Sequence, residues 1–379
     1  MSRQLSVRLR IGLIFGLLIL SFNNCSQPGD LVLTTPAAQI ETPNFSSTAI
    51  EELPPPAPQY IDKEKVIDVK YTKKVDVLVI IDNSGSMAFE QENMAMRFNS
   101  FFNQLNGFDW QLAIAITDDR TALGNGAAGD GKFLEFVGLP GEFILNSSMT
   151  PAVASAAFAN TIKRAANGSS NEQGIKNTYR AIERYLDSSS GENIPNNRFF
   201  RDDAAFATIV VSDADETVNN GDNLDLAKRE AKLGLKNKPD ELVKFVDQTW
   251  MGQKTFSFNA IIVKPGDSAC RAVTTSGGNE GYGDLYDRLV KQTGGVTGSV
   301  CEDNYSNQLS IIGKKVAELV KSATLDCPPV DSDKDGKPDI VVVNNLGQQE
   351  KNFVITGLQI NFTNPLPDGL NSIRYRCAK

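Results

Sequence analysis

Three short oxygen-bearing side chains stand at alternate positions directly after an apolar segment of this chain. They are Asp82, Ser84 and Ser86, in a loop that also contains a glycine. Carboxylate and hydroxyl oxygens that converge on one point suit a hard cation such as Mg²⁺, which requires octahedral oxygen coordination. The two serines equally suit capping of a helix that begins at Met87. The spacing by itself therefore leaves two interpretations open, a cation site and a helix cap.

Two further segments carry the same kinds of side chain. Asp213 follows the apolar run 207–211 and precedes Asp215 and Glu216, and a serine-rich loop over 168–174 opens a helical pattern. In that loop Ser169 and Glu172 have the spacing of a capping box. In an open parallel sheet, ligand sites lie just beyond the carboxyl ends of the strands. We therefore expect the carboxylates that follow different strands to lie at one edge of a sheet.

The elements that must position these residues alternate along the chain. Nearly continuous apolar runs predict strands buried on both faces, over 75–81, 112–116, 207–211 and 256–263. Apolar residues at helical spacing predict helices over 89–105, 172–186, 285–292 and 309–320. The segments 133–137 and 142–145 suggest an edge hairpin. The alternation predicts an α/β fold with a doubly wound, mostly parallel sheet.

The segment Val77–Met87, which reads VLVIIDNSGSM, closely resembles the first motif of von Willebrand factor A (vWA) domains. That family builds a metal-ion-dependent adhesion site from three loops. The resemblance covers roughly residues 72–323 and includes a late helix followed by the turn Thr293-Gly294-Gly295. It implies a vWA, Rossmann-like fold. It also implies a cation site whose residues are Asp82, Ser84, Ser86, Ser169 and Asp213, with Ser170 and Glu172 as alternatives to Ser169 in the second loop.

The resemblance also implies what such a site does. It holds Mg²⁺ or Mn²⁺, and the cation binds a carboxylate that a partner protein supplies, because the ligand set leaves the positive charge under-neutralised. The expected activity is adhesion or envelope assembly, and no enzymatic reaction or small-molecule substrate is expected. The alternative is a scaffolding protein in which the metal only stabilises the fold. An enzyme that uses Asp213, Asp215 and Glu216 around a metal is a third, weaker hypothesis.

A second acidic loop follows near the C-terminus. It has Asp at 331, 333, 335 and 339, with Lys337 and a glycine at 336. Carboxylates at positions 1, 3 and 5, a backbone carbonyl at 7 and a carboxylate at 9 can surround Ca²⁺. An EF-hand needs Glu at position 12, where Val342 stands, so the loop instead resembles the calcium loops of FG-GAP repeats. The alternative is a solvated acidic turn. The residues 326–379 are expected to form a small β-rich segment.

The first residues predict export. Residues 1–24 have three arginines and no acid before the short apolar run 11–20, which is the layout of a signal peptide; a tilted membrane anchor is the alternative. Cys25 follows, and the arrangement resembles a bacterial lipoprotein signal with lipidation at Cys25; Ser26 resembles an outer-membrane sorting signal. The Pro-, Ser- and Thr-rich residues 25–65 are expected to be a linker, and residues 66–325 the vWA domain. The predicted location is the cell envelope, with a lipid anchor in the outer membrane.

The remaining four cysteines form an even set, which suits disulfides in an exported protein. Three pairings are possible, and reduced buried cysteines are the alternative. We favour Cys270–Cys301 and Cys327–Cys377 because each pair would close one local unit.

Composition excludes several classes of protein. The 379 residues include no histidine, which removes His-based acid–base catalysis, Ser-His-Asp triads and His-ligated metal centres. The net charge of −8 becomes −11 after loss of the three N-terminal arginines, and an acidic chain of this kind is a poor candidate for nucleic-acid binding.

Overall fold

A computed structural model describes residues 60–69, 73–118, 129–163, 168, 171–217, 226–274 and 281–379. The predicted signal peptide, Cys25, most of the predicted linker, and Ser169 and Ser170 lie outside these residues. In the described part, no helix has both the length and the apolar character needed to cross a bilayer.

The strands of the described residues, in chain order, are β1 (Tyr60–Val69), β2 (Lys74–Ile81), β3 (Asp109–Ile116), β4 (Leu145–Asn146), β5 (Ala205–Val211), β6 (Phe256–Ile262), β7 (Thr297–Ser299), β8 (Ser322–Thr324), β9 (Ile340–Val343), β10 (Gln349–Glu350), β11 (Phe353–Thr356), β12 (Gln359–Phe362) and β13 (Gly369–Ala378). The α-helices are α1 (Ala88–Arg97), α2 (Asn99–Phe102), α3 (Pro151–Ile162), α4 (Gly174–Leu186), α5 (Ile194–Phe199), α6 (Leu226–Lys232), α7 (Pro239–Thr249), α8 (Ser268–Thr274), α9 (Asp284–Gln292) and α10 (Ser306–Glu318).

Residues 74–321 form a domain around a six-stranded sheet, here called the sheet domain. The strand order is β4-β3-β2-β5-β6-β7, and only the short edge strand β4 is antiparallel. The doubly wound, mostly parallel sheet predicted from the sequence is confirmed. The predicted edge hairpin is reduced to the two residues of β4, while 133–137 and 142–145 are irregular.

The sheet has a hydrophobic core on each face because its central strands are mostly apolar. Val75, Val77 and Val79 of β2 face one core, which α1, α2, α3 and α10 cover. Leu78 and Ile80 face the other, which α4, α5, α7 and α9 cover. Successive side chains of a strand point to opposite faces, so a strand between two helical layers is apolar at most positions on both faces.

A second unit, here called the β unit, is built from both ends of the described chain. Strand β1 pairs antiparallel with β13 over ten residues, from Tyr60 opposite Ala378 to Val69 opposite Gly369. The two sheets of the unit have the orders β1-β13-β9-β10 and β11-β12-β8. The sheet domain is thus inserted between β1 and the C-terminal strands.

The bounds of the β unit differ from the prediction, since residues 66–69 and strand β8 belong to it and not to the domain predicted over 66–325. Residues 60–65, assigned to the linker from the sequence, are the first part of β1. Their alternation of charged and apolar residues is weak, and the partner strand is about 300 residues away, so the sequence carried little local signal.

Both predicted disulfides are present in the structure. Cys270 and Cys301, with Cα atoms 5.6 Å apart, join α8 to the loop after β7. Cys327 and Cys377, with Cα atoms 6.1 Å apart, join the segment after β8 to the end of β13. Each bond closes a loop within one unit, as the sequence analysis proposed.

The β unit contacts the sheet domain at the end where the strands begin. The side-chain amide of Gln359 donates to the backbone oxygen of Phe256 at 2.6 Å, at the start of β6. Gln253 binds the edge of β1, accepting from the Asp68 N–H at 3.0 Å and donating to the Val66 oxygen at 3.1 Å. Among the described residues, these hydrogen bonds between the β unit and the central strands lie at the beginnings of the strands, at the opposite end from Asp82.

The substitution Ile67→Ala tests whether β1 is part of the fold. The Ile67 side chain is buried in the core of the β unit, whereas that of its neighbour Val66 is 47% exposed. We expect Ile67→Ala to lower the free energy of unfolding by about 2 kcal/mol or more. The matched control Val66→Ala should change it by less than about 0.5 kcal/mol. Equal, small effects in urea denaturation would show that 60–69 behaves as a linker.

Candidate functional site

The candidate cation site lies at the carboxyl ends of β2 and β5, the two central strands of the sheet. Helical connections leave these two strands toward opposite sides, and such a switch point is where doubly wound sheets bind ligands. The Asp82 N–H donates to the Val211 oxygen at 3.0 Å, so the loops that follow the two strands start side by side.

Asp82 is completely buried, and its carboxylate ties the first loop to the third. One oxygen accepts from the Ser84 N–H at 2.8 Å, and the other accepts from the Ser212 hydroxyl at 2.7 Å. Ser212 also accepts the N–H of Ala214 at 3.1 Å. The sequence analysis missed Ser212 as a site residue, although it directly follows β5 and precedes Asp213. Its role is to orient Asp82 across the junction of the two strands.

The two serines of the first loop lie together at the surface. The Ser84 and Ser86 hydroxyl oxygens are 3.1 Å apart, and both side chains are partly or fully exposed. Neither serine makes a side-chain cap to the helical turn 85–87 or to α1. The helix-cap interpretation of these serines therefore loses its structural basis, and their hydroxyls face solvent beside Asp82.

The second loop, residues 168–174, contacts the first loop through Gly168 and the residue after β3 through Gln173. The Gly168 N–H donates to the Asn83 oxygen at 2.8 Å, and a Cβ at Gly168 would lie only 2.8 Å from the same backbone. The Gln173 N–H donates to the Thr117 oxygen at 3.0 Å, just beyond β3. Ser169, the predicted ligand of this loop, lies between these anchors but outside the described residues.

Glu172 is the buried acid of the second loop, at 4% exposure. Its N–H donates to the Thr217 hydroxyl at 3.1 Å, and its own carbonyl accepts from the Thr217 N–H at 2.8 Å. Burial, with the negative charges of Asp82 and Asp213 nearby, raises the pKa of Glu172 to about 9. Burial also raises the pKa of Asp82, although the hydrogen bonds from Ser212 and Ser84 oppose the rise. Asp213, the predicted ligand of the third loop, is likewise buried.

The neighbouring acids of the third loop have structural roles instead. Asp215 accepts from the Arg229 guanidinium at 2.7 Å and from the Leu285 N–H at 3.0 Å, at the start of α9. Burial raises the pKa of Asp215 to about 6, against the pull of Arg229.

Glu216 is engaged in the same way at another helix. It accepts the N–H groups of Ile175 and Lys176, at 2.8 and 3.0 Å, at the start of α4. Burial raises the pKa of Glu216 to about 8, while these hydrogen bonds oppose the rise. Carboxylates stabilise helix N-termini by satisfying free N–H groups and by favourable interaction with the helix dipole. The carboxylates of Asp215 and Glu216 are thus occupied by hydrogen bonds to the N-termini of α9 and α4.

Other buried acids of the chain have a cationic partner, which Asp82 and Glu172 lack among the described residues. Asp76 pairs with Arg201 at 2.8 Å, and Asp130 pairs with both Arg180 and Arg184. Among the described residues, no Lys or Arg forms an ion pair with Asp82 or Glu172. A buried carboxylate without a cationic partner is costly. The residues present therefore fit a bound divalent cation, whose charge would offset theirs.

The acidic loop after β8 brings together some of its predicted ligands. Carboxylate oxygens of Asp331, Asp333 and Asp335 lie within 4.8 Å of one another and are exposed. In this arrangement they accept backbone N–H groups of the loop itself, such as that of Gly336, which donates to Asp331 at 2.9 Å. Gly336 has φ +88°, a conformation that favours glycine in this turn.

Asp339 faces a different set of partners. Its carboxylate accepts from the hydroxyl of Ser332 and lies 3.5 Å from the Arg376 guanidinium. Arg376 also binds Asp62 of β1 at 2.7 Å, so it connects the loop to the β1–β13 pair. These contacts hold the pKa of Asp339 below its usual range, chiefly through Ser332. The structure therefore groups the first three acids and places Asp339 beside them in an ion pair.

Comparison with solved structures finds similar folds at low sequence identity. A von Willebrand factor type A protein from Catenulispora acidiphila matches over 84% of this chain and 65% of its own, at 11% identity and TM-score 0.36. The pilus adhesin SpaC from Lactobacillus rhamnosus GG matches over 84% and 42%, at 11% identity and TM-score 0.32. Manganese-loaded TRAP protein from Plasmodium vivax matches over 62% and 67%, at 12% identity and TM-score 0.31.

Matches at these TM-scores carry no argument about this chain, so the resemblance to vWA proteins rests on the first-loop motif, and the six-stranded, mostly parallel sheet agrees with it. The chain spans less than two thirds of the length of the first two structures. Identities and TM-scores of this size say nothing about the ligand, partner or activity of the vWA-like domain. No protein-family model matches the chain, and a search of curated proteins by sequence finds no match.

The raised pKa of Glu172 predicts how pH affects the metal-free protein. Unfolded, a glutamate titrates near 4.5, so between that pH and about 9 the folded state holds a proton that the unfolded state has lost. Stability is then fully present below the lower value and falls as pH rises, by at most about 1.4 kcal/mol per pH unit for this group. Urea denaturation in a chelator from about pH 5 to about pH 9 measures the slope.

A pair of variants isolates the contribution of this one group. Glu172→Gln should flatten the slope, and the exposed control Glu142→Gln should leave it unchanged. A slope that is identical in all three proteins would contradict the assignment of the raised pKa to Glu172.

Proposed function

We propose that this chain is an exported cell-envelope lipoprotein whose vWA-like domain binds a partner protein through a divalent cation. The observation that carries the proposal is the group of buried carboxylates at the switch point of the sheet, where Asp82 and Glu172 have no cationic partner among the described residues. The expected activity is adhesion or envelope assembly.

The cation would be held by the residues that the three-loop motif names. These are Asp82, Ser84, Ser86 and Asp213, with Ser169 in the part of the second loop outside the described residues. When bound, Mg²⁺ or Mn²⁺ would supply a positive centre able to accept a carboxylate from the partner. Asp82 is oriented by Ser212 and Ser84, and the serine hydroxyls stand at the surface, where a partner can approach.

Binding, and not turnover, is the function that this arrangement supports. The chain has no histidine, and Asp215 and Glu216, the acids that an enzyme could have used, are engaged in holding helix N-termini. An exposed pair of hydroxyls beside buried carboxylates offers a docking point and no paired acid and base.

We further propose that Asp331, Asp333 and Asp335 bind Ca²⁺, with the backbone oxygen of Lys337 and with Asp339 at the edge of the site. The convergence of the first three carboxylates supports this proposal. The neighbouring disulfide Cys327–Cys377 and the contact of Arg376 with Asp339 favour a structural role for this cation in the β unit.

The proposed location follows from the N-terminal sequence. A signal peptide over residues 1–24, lipidation of Cys25 and a linker up to β1 would hold the folded units away from an outer membrane. The membrane contact is then the lipid, and the partner is a protein that carries an accessible acidic side chain.

Thermal melting with and without cations tests the two sites separately. A cation that binds only the folded state raises the melting temperature by mass action. We expect Mg²⁺ to stabilise the wild type and not Asp82→Ala, and we expect the Ca²⁺ response to be lost in Asp335→Ala. If no cation acts through Asp82, the vWA-like domain has only a scaffolding role.

Partner capture tests the function itself. Immobilised wild-type protein should retain an envelope protein in Mg²⁺ and release it in a chelator, because the cation completes the contact. Asp82→Ala should not retain it, while the matched control Asp335→Ala should, since that residue lies in the β unit. Equal retention by Asp82→Ala, or in a chelator, would reject a cation-mediated contact.

A further inference from the structure

The β unit turns one face of its four-stranded sheet to the solvent, here called the outer face. In β13 the odd-numbered residues 371–377 are buried in the core of the unit, and the even-numbered residues of β1 over 62–68 are exposed. Directly opposite residues of an antiparallel pair lie on the same face, so the register defines the outer face. Its rows are Asp62 and Arg376, Glu64 and Arg374, Val66 and Ser372, and Asp68 and Leu370, with Val341 and Val343 of β9 opposite Arg374 and Ser372.

Apolar side chains interrupt the polar character that a solvated sheet face normally has. Leu370 is 66% exposed, Val66 is 47% exposed and Val341 is 42% exposed. An antiparallel sheet with one face in water usually carries polar residues on that face. A single exposed apolar side chain is ordinary, whereas several on neighbouring strands indicate a surface that contacts another molecule.

A further apolar residue, Met251, borders this face beside β1, the edge strand of the sheet. The side-chain amide of Gln253 donates to the backbone oxygen of Val66 at 3.1 Å and to that of Met251 at 3.4 Å. Met251 has φ +51°, a left-handed conformation that strains any residue with a side chain, and it is 84% exposed. The chain thus holds a large apolar side chain in solvent on a strained backbone, and a contact with another molecule would explain both features.

The charged residues of the outer face are separated by strand. Strand β1 carries the acids Asp62 and Glu64, and β13 carries Arg376 and Arg374 opposite them. Glu64 lies 3.9 Å from Arg374 and Asp62 lies 2.7 Å from Arg376, and all four side chains are between 39% and 78% exposed. Exposed pairs of this kind add little to the stability of a fold. A column of acids beside a column of arginines is therefore complementary to a second surface in which the two columns are exchanged.

We propose that the outer face and Met251 form a contact between two copies of this chain, related by a two-fold axis that runs parallel to β1 and β13 and between them. Rotation about this axis places β1 of each copy over β13 of the other. Glu64 then faces Arg374 of the second copy and the reverse, as a symmetric interface requires. Met251, beyond the edge of β1, comes to lie over β9 of the second copy, where Val343 is. A two-fold axis across the strands would instead place acids against acids.

The size of this contact sets the expected affinity. Neighbouring strands lie about 4.8 Å apart and a strand rises about 3.4 Å per residue, so three strands, the Met251 edge and the four rows cover roughly 500 Å² per copy. A standard protein–protein interface buries about 800 Å² per partner. We therefore expect a dimer that dissociates readily, with a Kd in the micromolar range, and not a permanent one.

Sedimentation velocity over a range of concentrations tests for the dimer. The sample is the chain over residues 25–379 with Cys25→Ser, so that neither a lipid nor a free thiol can join two copies. We expect the dimer fraction to rise with concentration. Met251→Gly should raise the Kd by about tenfold or more, because it removes an apolar contact. Its melting temperature should not fall, because glycine suits the left-handed backbone. A parent protein that stays monomeric up to about 0.5 mM would overturn the proposal.

Exchange of charges tests the two-fold arrangement itself. Glu64→Arg and Arg374→Glu should each weaken self-association by about tenfold or more, since like charges then face each other across the axis. An equal mixture of the two variants should associate, because every arginine then faces a glutamate, and this result would also show that both variants are folded. The matched control Glu142→Arg, at an exposed position of the sheet domain, should behave as the parent does. Self-association that persists in both variants, or a mixture that stays monomeric, would reject this face as the contact.

Discussion

The hydrogen bond from Ser212 to Asp82 joins the ends of the two central strands, and the surrounding site depends on it. Asp82 and Ser212 each directly follow a buried central strand, and their N–H groups continue the pairing of the sheet by donating to the Val211 and Ile261 oxygens. The buried carboxylate of Asp82 thus has two donors, the Ser212 hydroxyl from the third loop and the Ser84 N–H from the first loop. Without these donors the burial of this carboxylate would cost more free energy, because the hydrogen bonds oppose the rise in its pKa that burial causes.

The buried carboxylates at the carboxyl ends of β2 and β5 fall into two groups. Asp215 and Glu216 hold the N-termini of α9 and α4, where N–H groups and helix dipoles favour an anion. Asp82 and Glu172 have no Lys or Arg partner in the part of the chain that the structure describes. The short segment after β5 therefore supplies two carboxylates that bind helix N-termini and also Asp213 of the candidate cation site. A substitution of Asp215 or Glu216 should therefore affect the stability of the fold, whereas a substitution of Asp213 should affect the candidate cation site.

The parts that could be predicted from sequence are those with dense local signals. The apolar runs of β2 and β5 and the motif that follows β2 indicated the sheet and the edge that carries the site. The second loop was harder, because Ser169, Ser170 and Glu172 all carry side-chain oxygens that can bind a cation, and the spacing alone does not choose among them. Strand β1 was assigned to the linker in part because its partner β13 lies beyond the whole sheet domain, and the β1 segment alone does not reveal a pairing partner that is so distant in sequence. The short helices α6 and α8 contain one turn or two, too few residues for a clear period.

The insertion of the sheet domain between β1 and β13 separates the two candidate cation sites physically. The β unit contacts the beginnings of the strands through Gln359 and Gln253, whereas Asp82 and Asp213 follow the ends of their strands. The acidic loop instead connects through Arg376 to Asp62, at the point where the chain enters β1. A cation in that loop would therefore act on β1 and its pairing with β13, whereas one at Asp82 would act at the carboxyl ends of β2 and β5. The two candidate sites thus lie in different units, and the mostly apolar strands of the sheet domain lie between Asp82 and the contacts of the β unit.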